Sequence, residues 1–237
     1  LGDVYKRQVL RNRWWLPMNL QKFLLLAAAA VLTAAFGQHY FRNNTKKEKQ
    51  VLVFKALATA MPVMLAFLYA LTAQEVHRTL SPMILAGAFL CMTADVLLEL
   101  YFLSGVVSFG LGHVCFIAAY MHLTQFRGYT VLIFLLFFLL MLLLHGKFLP
   151  QPGWQMILMI GYAALLSAMS AMAVTAAVQL GSPAGYLTAA GGICFYISDN
   201  ILGFRLLHET KSRVLSGVLL TLYYSAVYLI AAAMYFL

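Results

Sequence analysis

The sequence predicts an all-α fold, a polytopic bundle of about eight transmembrane helices in which a 4+4 parallel internal repeat can be read. Three observations lead there. Of the 237 residues, 63% are hydrophobic and only 10% are charged, where a soluble domain carries about 25% charged residues. Apolar runs of about 18 or more residues recur along the chain, the length a helix needs to cross hydrocarbon. The connections are short and none is a Pro/Gly-rich linker, so a single integral membrane domain is expected over 18–237. Every backbone polar group is then satisfied inside a helix.

Residues 1–17 are set aside as an artefact or an upstream extension. "DVYKRQ" is the translation of a common sequencing-transposon end, and "MNLQKFLLLAAAAVLTAAFG" from Met18 reads as a membrane N-terminus. Span one covers 19–38. Lys22, an apolar stretch and small residues near Gly37 resemble a signal peptide, but Arg42, Lys46, Lys47 and Lys49 follow at once. Export would leave those four charges outside, so an uncleaved helix is expected. Span two, 51–71, opens with Lys55, placed to snorkel to the headgroup layer or to meet a substrate phosphate. Spans three (82–103) and four (105–125) are separated by Ser104 alone, which requires a tight turn. Span five, 130–148, has no polar residue from Val131 to Leu144 and is expected to face lipid. Spans six (154–178) and seven (184–206) are rich in Gly, Ala and Ser, which lets helices approach closely. Span eight, 213–236, closes the chain.

From Met18 onward, loops 1, 3, 5 and 7 hold eight Lys and Arg, against three for the other loops and the termini. Loops 42–50 and 207–212 are therefore expected in the cytoplasm and both termini outside, in a bacterial cytoplasmic (inner) membrane. Counting Arg11 and Arg13 narrows the ratio to eight against five. The formal charge of +9 sits beside apolar spans, where it meets lipid phosphates, and implies no nucleic-acid partner. Cys91, Cys115 and Cys194 lie inside spans without CxxC spacing and read as small apolar residues.

"GAFLCMTADVLL" (87–98) overlays "GGICFYISDNIL" (191–202): Gly eight residues before the Asp, a small residue just before it, and Leu three after. Each span also opens with Ser-Pro, at Ser81-Pro82 and Ser182-Pro183. Helices three and seven run the same way through the bilayer, as a parallel duplication requires. Asp95 and His113 stand nine residues either side of Ser104, and Asp199 eight before Leu207, which predicts one shared layer. Glu99 follows one helical turn beyond Asp95 on the same face. An Asp at a helix centre costs about 2.5–3.5 kcal/mol on insertion scales. Asp95, Glu99 and Asp199 must therefore face the bundle interior or a wet cavity. Each also has a structural alternative, as an interhelical hydrogen-bonding group or, for His113, a satisfied interior histidine. Tyr120, Tyr196, Tyr223 and Tyr224 read mostly as packing or interface residues, and His39, His77, His122, His145 and His208 as interfacial.

"TADVLLE", "FLSGVVSFGLGHVCFIAAY" and "FYISDNIL" resemble the YhhN family of eight-helix membrane proteins, whose animal relatives are lysoplasmalogenases. The family pattern falls here on Ala94-Asp95, on Phe102, Gly105, Phe109, His113 and Tyr120, and on Phe195, Ser198 and Asp199. The chain departs from it at Lys55-Ala56-Leu57, where Lys-Pro-Leu is common, and at Val227, where Gln often follows Tyr-Tyr-x-Ala. The resemblance implies hydrolysis of the vinyl ether of lysoplasmalogens to a fatty aldehyde and a glycerophospho-base. Such a bond breaks when carbon is protonated and water captures the oxocarbenium ion, which suits one protonated carboxyl beside a second carboxylate. Asp95 and Asp199 are the expected pair, with His113 orienting water or tuning one Asp. Substrate contacts are expected from Lys55, Glu99, Tyr120, Ser198 and Arg205. The partners are thus a lysophospholipid substrate and membrane lipid; no cofactor is called for, and nothing bears on oligomeric state. Two rival readings use the same residues: a proton-coupled transporter or lipid flippase, and a metal-dependent hydrolase ligated by Asp95, His113 and Asp199.

Overall fold

The computed structural model describes residues 20–43, 49–73, 77–148 and 152–237. The expectations for residues 1–17 and for Lys46 and Lys47 fall outside them. Eight helices are long and apolar enough to cross a membrane: α1 (Leu20–Asn43), α2 (Lys49–Thr72), α3 (Leu80–Leu100), α4 (Phe102–Leu123), α5 (Gly128–His145), α6 (Trp154–Leu180), α7 (Pro183–Leu207) and α8 (Arg213–Ala233). Short 3-10 turns follow α5 and α8. The chain is an integral membrane protein of the all-helical class.

Local chemistry sets the boundaries. Ser182 caps α7, its hydroxyl accepting from Gly185 N, and Pro183 opens the helix where its missing N–H is not needed. Ser212 caps α8 in the same way through Leu215 N. Gly181 ends α6 with φ of 54°, the left-handed conformation that favours glycine. α1 runs to Asn43, past the expected end at 38, and places Arg42 in its last turn, where a cation suits the helix dipole.

The α3–α4 turn differs from expectation. It is made by Tyr101 alone, whose N–H donates to Leu97 O, three residues before the predicted Ser104. Gly105 allows this closeness: a Cβ there would stand 2.6 Å from Leu98 N and 2.8 Å from Leu98 Cα. Backbone cannot yield as a side chain can, so Gly105→Ala is expected to cost about 1–3 kcal/mol. Thermal unfolding in detergent measures it.

α8 packs against α7, α2, α1 and α3, and α4 against α3 and α6. The core is correspondingly rich in Ala, Gly and Ser on α6 and α7. α5 buries only Thr130 and His145 along its length and turns Leu132, Leu136 and Leu143 outward, the lipid-facing helix expected from its composition. α3 and α7, which carry the two aspartates, are not among the closely packed pairs.

Candidate functional site

The buried acids occupy two separate clusters. In the first, between α1, α2, α3 and α8, Asp95 Oδ2 accepts from Thr59 Oγ1 and from Tyr223 Oη (3.0 Å). One turn on, Glu99 Oε1 accepts from Lys55 Nζ at 2.9 Å and from Tyr40 Oη at 2.8 Å. The Lys55 ammonium also lies 5.5 Å from the Tyr40 ring centroid. Lys55 is buried, 6% exposed, so it does not snorkel; Glu99 holds it inside.

The second cluster lies between α4, α6 and α7. Tyr162 Oη donates to Asp199 Oδ2 at 2.5 Å, and His113 Nε2 stands 3.2 Å from the same phenol and 3.7 Å from Asp199 Oδ2. A one-way chain fits these distances: His113 Nε2–H donates to Tyr162, and Tyr162 donates to Asp199. His113 Nδ1 is buried without a partner among the described residues. Beside this cluster His145, expected at the interface, is buried and pairs through Nε2 with Asn200 Oδ1 at 3.1 Å. Asn200 in turn donates to Tyr196 O.

Asp95 and Asp199 therefore do not form the expected pair. Aromatic rings stand between their partners. His113 packs on Phe195 (4.7 Å between centroids), Phe195 on Tyr223 (5.6 Å), and Phe109 meets Phe195 and Tyr223 edge-on at 6.1 and 5.5 Å. The shared layer fails because the turn is at Tyr101. Asp95 lies six residues before it and His113 twelve after, so in this antiparallel pair their depths from the turn differ by about 9 Å at 1.5 Å per residue. The same separation keeps Asp95 out of any common ligand set with His113 and Asp199.

The two aspartates are held in matching ways. Asp95 is held from the second helix of its own half and the fourth of the other, through Thr59 and Tyr223. Asp199 is held from the second helix of its half and the fourth of the other, through Tyr162 and His113.

Among the described residues, the second cluster opens into a cavity. About 480 Å³ lies between α3, α4, α5, α6 and α7. Its wall is apolar, with Leu98, Phe102, Phe109, Met141, Leu158 and Leu206 prominent. Tyr162 and Asp199 line it as well, and Asp199 is the single acidic residue among those that line it. Leu103, Trp154 and Leu207, at the ends of α4, α6 and α7 on one side of the bundle, also line it.

The remaining predicted contacts lie elsewhere. Ser198 Oγ donates to Leu219 O and ties α7 to α8. Tyr120 is two turns beyond His113 on the same face of α4, toward the end of the bundle away from the cavity, beside Leu80 and Thr188. Arg205 is half-buried near Glu99, its Nε without a partner among the described residues, and does not line the cavity. Sequence reasoning missed Tyr162, the residue that joins His113 to Asp199, and Thr59 and Tyr40 in the first cluster. A tyrosine eight residues into an apolar span carries the signal of a packing residue, and only its partners distinguish it. Tyr223, read as packing, is a partner of Asp95.

Fold and site together define a multi-span helical membrane protein with two buried carboxylates, one of which faces an apolar cavity. The profile of the YhhN family matches residues 50–234, and the chain belongs to the YhhN family. Neither curated proteins nor solved structures offer a match.

Proposed function

We propose that this YhhN protein is a membrane hydrolase that cleaves the vinyl ether of lysoplasmalogen-type lipids, with Asp199 as the group that handles the proton. The observation that carries the reading is a carboxyl, bonded to Tyr162, on the wall of an otherwise apolar cavity of about 480 Å³. Such a cavity suits an alkenyl chain, while the glycerophospho-base stays at the mouth near Trp154 and Gln155. By the positive-charge distribution of the loops, we put that mouth at the cytoplasmic face.

The chemistry balances on one carboxyl. Protonated Asp199 gives its proton to the vinyl carbon distal to oxygen, leaving an oxocarbenium ion beside the new carboxylate. Water attacks the cation carbon and returns a proton to Asp199, which yields a hemiacetal. The hemiacetal hydroxyl then loses a proton as the glycerol oxygen gains one, releasing aldehyde and glycerophospho-base. Tyr162 and His113 orient Asp199 through the donor chain. Asp95, behind Phe109, takes a positioning role in this proposal: it holds Tyr223, whose ring supports the Phe109 wall of the cavity.

Tyr162→Phe removes one hydrogen bond to a charged or chargeable group, worth about 1.5–3 kcal/mol. Aldehyde release is expected to fall about 10- to 100-fold by the same figure. Purified protein in detergent, offered lysoplasmalogens of several headgroups, gives the direct test of the activity itself. Absence of aldehyde from every lipid in the panel would overturn the hydrolase.

One observation favours proton-coupled transport as the second reading: the two acid clusters are related as halves of a repeat, as in transporters that alternate about a central site. A transporter needs two compartments, so it releases no aldehyde in detergent and moves lipid or protons in sealed vesicles.

A further inference from the structure

The cavity beside Asp199 has its acid at one level. Counted from the Tyr101 end of the bundle, the lining runs from Phe102 to Phe109 on α4, from Trp154 to Tyr162 on α6 and from Leu207 back to Asp199 on α7. These runs of seven and eight residues are about 11–12 Å long at 1.5 Å per residue. Phe109, Tyr162 and Asp199 therefore share a level, the one furthest from the Tyr101 end. Trp154 and Gln155, which carry the other polar side-chain atoms of the lining, stand at the opposite end. Between the two ends the wall is apolar.

One oxygen at the deep level is free. Oδ2 of Asp199 accepts from Tyr162 at 2.5 Å and lies 3.7 Å from His113 Nε2. Oδ1 has no hydrogen-bond partner among the described residues and is not sealed off, and the side chain keeps 7% of its surface accessible. His113 is fully buried and does not line the cavity. No Lys, Arg or His is among the residues that do. A carboxylate in apolar surroundings is costly unless a cation and donors meet it. The complement of this lining is a cationic donor on an apolar chain.

We propose that the cavity binds a single-chain lipophilic amine, its ammonium donating to Asp199 Oδ1 and its alkyl chain lying along Leu202, Leu158 and Leu206. The amine enters neutral from the bilayer and takes the proton of the Asp199 carboxyl. The O–H bond breaks, an N–H bond forms, and ammonium and carboxylate stay paired. The rings of Phe109 and Tyr162 line the same level, and aromatic rings attract a desolvated cation. The volume of about 480 Å³ falls within the ~300–1,000 Å³ of small-molecule sites. A fatty acid would set its own carboxylate against Asp199. A phosphate at this level would find no cation on the wall. A long-chain alcohol can donate to Oδ1 but brings no charge. The site goes beyond the hydrolase and needs only the cavity and its carboxyl.

The test uses the full chain in phosphatidylcholine nanodiscs, with dodecylamine that carries a diazirine near its nitrogen. After irradiation, labelled peptides are mapped. Residues around Tyr162 and Asp199 are expected to be labelled several-fold more than the lipid face of α5. Plain dodecylamine is expected to remove that excess, and dodecanol or dodecanoic acid at the same concentration to leave it. Asp199→Asn, which keeps the shape and loses the charge, is expected to lower it about 10- to 100-fold, the scale of one hydrogen bond to a charged group. Glu99→Gln, which removes an acid outside the cavity, is expected to label as the wild type does. Wild-type labelling no greater than on α5, or equal competition by dodecanol, would overturn the site even if Asp199→Asn failed to fold. Full labelling of a folded Asp199→Asn variant would overturn it as well. Labelling of a protein that releases no aldehyde supports the site and removes only the hydrolase, while aldehyde release without labelling removes only the site.

Discussion

Asp199→Asn is expected to lower aldehyde release from a lysoplasmalogen by about 10²–10⁴-fold, the usual contribution of a positioned acid or base. The substitution preserves shape. An amide oxygen can still accept from Tyr162, and Asp199 has no ion pair other than the His113 contact at 3.7 Å. Folding should therefore survive, and size-exclusion behaviour and helical content in detergent check that it does. Asn cannot give a proton to carbon, so the loss falls on turnover and leaves lipid binding in place. Asp95→Asn gives the contrast. Its side chain meets Thr59 and Tyr223 and does not line the cavity, so its effect is expected to be much the smaller. Should Asp95→Asn be the more damaging, the proton chemistry would belong to the first cluster, and Phe109 would have to swing aside to admit substrate. Turnover near wild type in Asp199→Asn removes the mechanism altogether.

The second large effect concerns stability. Glu99→Leu strands Lys55, whose side chain is 8% exposed, while Lys55→Met leaves Glu99 at 39% exposure and able to reach water. Removing one partner of a buried pair costs about 3–5 kcal/mol when the survivor cannot rehydrate. Glu99→Leu is thus expected near the lower end of that range, about 3 kcal/mol, since the pair is partly wet. Lys55→Met is expected to cost about 1 kcal/mol, the scale of an exposed pair. The double variant is expected to be less damaged than Glu99→Leu alone, because it removes the ammonium that Glu99→Leu leaves without its hydrogen-bonded partner. Unfolding of the purified single and double variants in detergent measures all three. Glu99→Gln, which keeps an oxygen for Lys55 and Tyr40, should be mild. Equal losses in both single variants would mean that the burial of Lys55 is not what makes Glu99 necessary.

The spans were legible because their signal is one-dimensional. A run of apolar residues long enough to cross hydrocarbon must become a helix wherever its neighbours lie, and all eight expected spans have a helix. The lipid face of α5 could be read for the same reason, from an uninterrupted apolar composition between Val131 and Leu144. Asp95, Asp199 and His113 could be picked out as interior groups because an ionisable side chain in lipid has nowhere else to go, whereas Glu99, at 39% exposure, reaches the edge of the bundle. The two overlaid segments place one Asp on α3 and one on α7, and each Asp is held from the second helix of its own half and the fourth of the other.

The site itself depended on angles and offsets that no run of residues encodes. Moving one turn from Ser104 to Tyr101 displaced His113 from Asp95 in depth and left it beside Asp199. Helical register then decided which faces met: Tyr162 turned to Asp199, Tyr223 to Asp95, Ser198 to the α8 backbone, and Phe109 with Phe195 filled the space between. Composition determined that this chain lives in a membrane and buries its acids, since hydrocarbon imposes that cost on each residue separately. Which acid meets which partner was a matter of tertiary structure alone, because a side chain's neighbours are set by how helices pack, and packing is a property of pairs.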